Sequence, residues 1–184
     1  MKKYKLLWAV CLTLGGLTAC QENAAPKDKA VAQENVTEKS LQPMADTPQT
    51  ATANLSLGNH SYAVTIRRAP DESLPLVVDE LDQRFYDNAV EISILRDDAE
   101  WFAQKVTKDT FSEFLSDAER KGSLLLGMSC DTARCDRSRI CFTAQVGQAG
   151  EGPAFLYLVP VNGGTPSVQR DNLQEEINYE DSSR

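Results

Sequence analysis

Apolar and polar residues alternate in short runs from Asn54 onward and show no period before it. Leu55 and Leu57 lead through Gly58-Asn59, a turn signal, into a run with Tyr62, Val64 and Ile66 on one face and Ser61, Ala63 and Thr65 on the other, which predicts a hairpin. Val90, Ile92 and Ile94 repeat the alternation, and Asp97-Asp98 mark a turn before a strand over Trp101 to Val106. Strands over Leu124 to Met128, Ile140 to Val146, Phe155 to Val161 and Ser167 to Arg170 then predict a four-strand meander. Both faces of Phe155-Leu156-Tyr157-Leu158-Val159 are apolar, which makes that strand central, and Pro160 ends it because proline has no N–H for the ladder. One helix interrupts the strands. Thr107 is its N-cap, Phe111, Phe114, Leu115 and Ala118 form its apolar stripe, and Gly122 supplies a left-handed stop. The expected fold is mainly β: an antiparallel sandwich or half-barrel of about seven to nine strands with one packed helix.

The chain opens differently. Met1-Lys2-Lys3-Tyr4-Lys5 is a basic start, Leu6 to Leu17 is an apolar stretch too short to span a bilayer, and Leu17-Thr18-Ala19-Cys20 has the form of a lipobox. Such a leader predicts cleavage before Cys20 and acylation there, with the chain exported and held to a membrane by its lipid. Gln21 to Ala53 has three prolines and no aromatic residue, and predicts an unfolded tether. The expected organisation is a signal peptide over 1–19, a lipidated Cys20 and tether over 20–53, a β-rich domain over 54–171 and an acidic flexible tail over 172–184.

Charge narrows the partners. The whole chain carries a net charge of -8, and removing Lys2, Lys3 and Lys5 with the leader takes it to -11. Phosphate backbones repel such a surface, so nucleic acid is excluded, while a protein or small ligand remains open. Membrane association is expected through the lipid on Cys20 alone.

Candidate chemistry is sparse. Asp71, Glu72, Asp79, Glu80 and Asp87 lie in a proline-pinned segment whose carboxylates are candidate cation ligands, although their spacing matches no EF-hand. Two of them would serve a hydrolase only at a separation that sequence does not reveal. Cys130, Cys135 and Cys141 follow no zinc spacing, and His60 is the sole histidine, so no metal or other cofactor is expected. If Ile140 faces inward, Cys141 faces outward and a Cys130–Cys141 disulfide is the favoured pairing, leaving Cys135 as a free thiol made reactive by Arg134 and Arg137. The competing pair is Cys130–Cys135. Gly127-Met128-Ser129-Cys130 lacks the second glycine and following helix of a nucleophile elbow, and no histidine follows it to act as base. Trp101 and Phe102, being adjacent, are expected on opposite faces of their strand, one in the core and the other under helix cover or exposed as a stacking platform.

The order of lipobox, tether, Tyr62-x-Val64-x-Ile66 strand and Pro70-Asp71-Glu72-Ser73-Leu74-Pro75, with Phe85-Tyr86-Asp87-Asn88, Thr107-Lys108 and Gln169-Arg170-Asp171 after it, resembles a family of uncharacterised Bacteroidota lipoproteins classed only as a domain of unknown function. The resemblance covers about Ser56 to Asp171 and implies a single small β-rich envelope domain. It brings no catalytic residue, substrate or cofactor, and the cysteine-bearing hairpin departs from its pattern. The function expected on these grounds is that of an envelope lipoprotein, placed at the outer membrane, acting as a non-enzymatic binding module. The alternatives are a structural subunit of an envelope assembly and a hydrolase built on Asp71, Glu72 and Asp87.

Overall fold

Two four-stranded antiparallel sheets face each other across one core. The computed structural model describes residues 42–148 and 150–172; the leader, Cys20, most of the tether and residues 173–184 of the tail lie outside the described residues. The first sheet has the order β1 (Gln49–Leu57), β2 (His60–Pro70), β5 (Asn88–Arg96) and β6 (Ala99–Val106). The second is a meander of β7 (Leu124–Cys130), β8 (Arg139–Gly147), β9 (Ala154–Pro160) and β10 (Ser167–Arg170). Between β2 and β5 lies a two-stranded hairpin, β3 (Val77–Val78) with β4 (Arg84–Phe85). The fold is thus mainly β and a sandwich, and β9 is an interior strand that ends at Pro160, as its apolar faces require.

The period-2 pattern fixes the register. Tyr62, Val64 and Ile66 of β2 and Val90, Ile92 and Ile94 of β5 point inward against Ile140, Phe142, Ala144 and Val146 of β8 and Phe155, Tyr157 and Val159 of β9, all in one buried cluster. A slip of one residue on any of these strands would turn its apolar set to solvent. The outer face of the first sheet is polar: Thr65 lies beside Ser93 and Ala103, and Arg67 beside Glu91 and Lys105. An Arg67–Glu91 ion pair at 3.2 Å crosses that face.

Four sequence expectations change. First, the expected tether boundary at Ala53 is too late, because Gln49–Ala53 already belongs to β1 and Met44 makes a parallel bridge to Phe85. Residues Gln49 to Thr52 are exposed on an edge strand, so they pair through main-chain bonds with β2 and leave no apolar period to read.

Second, the single helix is two. A 3-10 helix, Lys108–Phe114, ends when Leu115 becomes extended, and α1 (Asp117–Gly122) starts afresh. The cause is Ser116-Asp117-Ala118-Glu119: the Ser116 hydroxyl accepts from the Glu119 N–H and the Glu119 carboxylate accepts from the Ser116 N–H. Phe111 and Leu115 still reach the core.

Third, Gly122 does not adopt a left-handed stop; it closes α1 in helical geometry, and its carbonyl accepts from the Gln148 amide.

Fourth, Trp101 and Phe102 do not divide between the faces of β6. The register shifts between Ile94 and Leu95, so that Phe102 pairs with Ile94 while Glu100 pairs with Leu95, and Trp101 is the bulged residue between them. Both rings pack on the core side, 6.1 Å apart. Arg96 lies 5.5 Å above the indole and Tyr62 meets it edge-on, so no stacking platform is left exposed.

Candidate functional site

Three places gather the candidate residues: a buried polar corner, the β3–β4 hairpin and the cysteine loop.

The polar corner answers a problem created by β7. Among the described residues that strand is a sheet edge, paired with β8 alone, so its other side carries backbone groups without a strand partner. Side chains from the first sheet supply the partners. Asp87 Oδ1 accepts from the Leu125 N–H at 2.9 Å and from the Asn88 N–H at 2.8 Å. Asn88 Nδ2 donates to the Leu125 carbonyl at 3.0 Å, and Arg68 Nη1 to the Leu126 carbonyl at 2.6 Å. Asp46 Oδ2 accepts from both Arg68 and Asn88, at 2.8 and 2.9 Å. Lys108 Nζ pairs with Asp87 Oδ2 at 3.1 Å and donates to the Ser123 carbonyl at 2.5 Å. Asp87, Asn88 and Lys108 are buried. This network stitches β2, β5 and the start of the 3-10 helix to β7 and so holds the two sheets together at one corner. A cavity of about 80 Å³ opens at its mouth, lined by Leu74, Pro75, Asp87, Thr107, Lys108, Asp109 and Arg120. It holds a few waters at most, well under the several hundred Å³ of a substrate pocket.

The carboxylates expected to converge on a cation do not converge. Asp71 Oδ1 accepts from the Ser73 N–H and hydroxyl at 3.0 and 2.6 Å while its other oxygen meets Lys105. Asp79 Oδ1 accepts from the N–H groups of Leu81 and Gln83 at 2.8 and 2.9 Å. Asp87 is spent on the polar corner, and Glu72 and Glu80 are exposed. No group of three or more metal-ligating side chains forms among the described residues. The candidate cation site is therefore corrected to three separate structural roles, set by donors that lie closer than any fellow carboxylate.

Lys105 and the Ser73 donors hold the Asp71 carboxyl down to about 2. Its contribution is full above the ordinary carboxylate range and is lost as pH falls from about 4 towards 2. Asp71→Asn should lower the unfolding midpoint modestly near neutral pH, where the charged group contributes in full, and flatten its fall between pH 4 and 2, so that variant and wild type converge in acid. An acid limb of unchanged slope would count against the Lys105 pairing.

In the hairpin, Val77 is buried, with β3 packed against α1. Leu76 and Val78 alternate with Val77 and face out, and Leu81 at the turn is 76% exposed. Met44, paired to Phe85 on the far side of β4, is also exposed. The turn is held by Asp79: besides its two side-chain bonds, its N–H donates to the Gln83 carbonyl and its carbonyl accepts from Asp82, which takes a left-handed φ of 58°. An Asx turn of this kind fixes Leu81 in one place. The acids dominate this segment in the sequence, and its apolar tip is signalled there by the alternation Leu76, Val77, Val78 followed by Leu81.

The cysteine loop differs most from expectation. Cys130 pairs in register with the inward-facing Phe142 and packs on the main core, whereas Cys141 lies on the opposite face of β8 with Leu156 and Leu158. The favoured Cys130–Cys141 bond is thereby corrected: the inward Ile140 does turn Cys141 outward, and Cys130 points the other way. All three thiols are free. Cys135 is not at a solvent tip either. It is half-buried, and its sulfur accepts the Cys141 N–H at 3.2 Å. Nor do arginines activate it. Arg134 binds Asp131 at 2.5 Å and clamps Asp171 with two bonds of 2.9 and 2.7 Å. The Cys130 thiol, hydrogen-bonded to Cys135, and the Cys141 N–H bring Cys135 down to about 7 against the opposing effect of burial. Burial pushes Cys141 up to about 11, and Cys130 is also raised, chiefly as the donor to Cys135.

His60 sits in the β1–β2 turn with Nδ1 2.6 Å from Asp97 Oδ2, tying that turn to the β5–β6 turn. Among the described residues no helix is long and apolar enough to cross a membrane.

These features describe a small antiparallel sandwich whose polar side chains are largely committed to holding it together. Residues 26–159 match the family model described as a domain of unknown function, DUF4738, and the chain belongs to that family. Comparison with curated proteins finds no match.

Proposed function

We propose that the protein is a lipid-anchored binding module of the bacterial envelope, which engages a partner protein through the tip of the β3–β4 hairpin. The exposed Leu81, fixed by the Asp79 turn and flanked by Leu76 and Val78, carries this reading. A fixed apolar knob loses little conformational freedom on docking, which is how a small contact gains affinity. Asp79, Glu80 and Asp82 surround the tip, against one basic residue in the hairpin, Arg84. The partner that fits is therefore an apolar pocket rimmed by lysine or arginine. The same acids disfavour insertion among anionic lipids. The polar outer face of the first sheet offers no comparable contact, and of the carboxylates weighed for hydrolysis Asp71 and Asp87 are engaged in hydrogen bonds and ion pairs while Glu72 is exposed. The anchoring half of the proposal rests on the Leu17-Thr18-Ala19-Cys20 motif.

A photo-crosslinking residue at position 81, with position 65 on the polar face as control, tests the contact in intact cells. The expected result is a discrete protein adduct at 81 alone, abolished by Val78→Asp, with the cross-linked peptide of the partner apolar and flanked by basic residues. Adducts to lipid only, equal adducts at both positions, or none at 81 would overturn the hairpin as the binding surface.

A further inference from the structure

We propose that β1 is a dimer edge: two copies of the chain pair antiparallel, β1 to β1, about a two-fold axis at Ala53, which joins their four-stranded first sheets into one continuous sheet. A bare sheet edge accepts any strand that reaches it, and proteins blunt such edges with charge, proline, bulges, shortness or cover. Among the described residues, three of the four edges of the two large sheets are blunted. β6 is bulged at Trp101 and carries Glu100 and Lys105, and β10 is four residues long and follows Pro166. β7 is bulged between Leu125 and Gly127 and covered by Asp87, Asn88 and Arg68. β1 has none of these devices. Gln49–Leu57 carries no charge and no proline, and pairs with β2 without a break from Gln49 opposite Arg68 to Leu57 opposite His60.

The occupant that fits this edge is the same strand of a second copy. The two-residue turn at Gly58-Asn59 closes on the pair Leu57 and His60, so Ser56, Asn54, Thr52 and Thr50 turn their main-chain groups away from β2. About an axis at Ala53 those residues meet one another, Thr52 beside Asn54 and Thr50 beside Ser56. They form about eight main-chain hydrogen bonds, within the roughly five to fifteen of a specific interface. Their side chains are exposed, uncharged and hydrogen-bonding, so a chain of net charge -8 meets its copy here without like charges opposed. The inner face is complementary as well. Leu55 and Leu57 pack on the core, whereas Ala51 and Gln49 are exposed and border a cavity of about 300 Å³ that Ile66, Arg68 and Met128 also line. In the pair, Leu55 of the second copy lies opposite Ala51 and its Leu57 opposite Gln49, so the leucines of each copy cover the open end of the other's core.

The test is made in whole cells expressing the full chain with Ala53→Cys, treated with diamide. At the axis the two substituted positions form a non-hydrogen-bonded pair with Cα atoms about 4.5 Å apart, within reach of a disulfide. The expected result is a disulfide-linked homodimer whose bond maps by mass spectrometry to position 53 of both copies, absent from a Thr65→Cys control on the outer face of β2. Adding Thr52→Lys and Asn54→Lys sets lysines opposite lysines on an exposed face, and should lower the yield about tenfold. Co-expressing that form with one carrying Thr52→Glu and Asn54→Glu should restore the bond, now between two differently tagged copies. No bond at position 53, an equal yield from Thr65→Cys, a yield that the lysines leave unmoved or that the opposite charges do not restore, or position 53 joined to another protein would overturn the proposal.

Discussion

Asp87→Ala should destabilise the domain by about 3 to 5 kcal/mol, the cost of leaving a buried cation without its anion. Lys108 is buried, and among the described residues its ammonium is held by Asp87 and the Ser123 carbonyl. The loss is compounded because the same carboxylate accepts the N–H groups of Leu125 and Asn88, so two buried backbone donors lose their acceptor as well. Lys108→Met should be nearly as damaging, since it strands the Asp87 charge. The pair Asp87→Leu with Lys108→Met should cost clearly less than the two single changes added together, because no unpaired charge remains. It should still fall short of wild type, since the β7 edge has no substitute acceptor. Urea unfolding of the four proteins measures this. Strict additivity would mean that the ion pair is not what closes the corner.

The second large effect lies in the core. Phe155 is fully buried, stacked on Phe111 at 5.0 Å and tilted against Phe114 at 6.1 Å, with Arg170 over its ring. Phe155→Ala removes the surface on which the 3-10 helix rests and should cost about 3 to 5 kcal/mol. Phe111→Ala empties the other half of the same contact, so the double variant should lose less than the sum by roughly 0.5 to 1.5 kcal/mol, the ordinary value of an aromatic pair beyond its buried area. Independent effects would show that the helix is docked by Leu115 and the Lys108 bond instead.

Why some of this was legible and the rest was not has a physical answer. Strands such as β2, β5 and β8 bury one face, and β9 both, so burial wrote their register into the sequence as alternation or as a continuous apolar run. The first half of β1 buries neither face and left no such mark. The helix break at Ser116 is written in the capping box, but the continuous stripe Phe111, Phe114, Leu115 and Ala118 is the stronger sequence signal and points to one helix. The bulge at Trp101 has no local signature, because it comes from the register of two strands. The acids of the Pro70 to Asn88 segment looked alike along the chain. Only the fold separates Asp71 and Asp79, which make turns, from Asp87, which serves an edge strand of the other sheet. The cysteines illustrate the same limit. Alternation correctly turned Cys141 outward, but the direction of Cys130 depended on a register shift between Leu125 and Gly127 that its neighbours do not announce.

The proposed function sets the hairpin to work at a membrane, and the retention it needs is proposed to rest on a single sulfur, Cys20. Metabolic labelling with palmitate, on wild type and on Cys20→Ser followed through membrane fractionation, is the most direct test. The account predicts a labelled, membrane-bound wild type and an unlabelled variant that leaves the membrane fraction. An unlabelled wild type, or a Cys20→Ser protein that stays with the membrane, would contradict it.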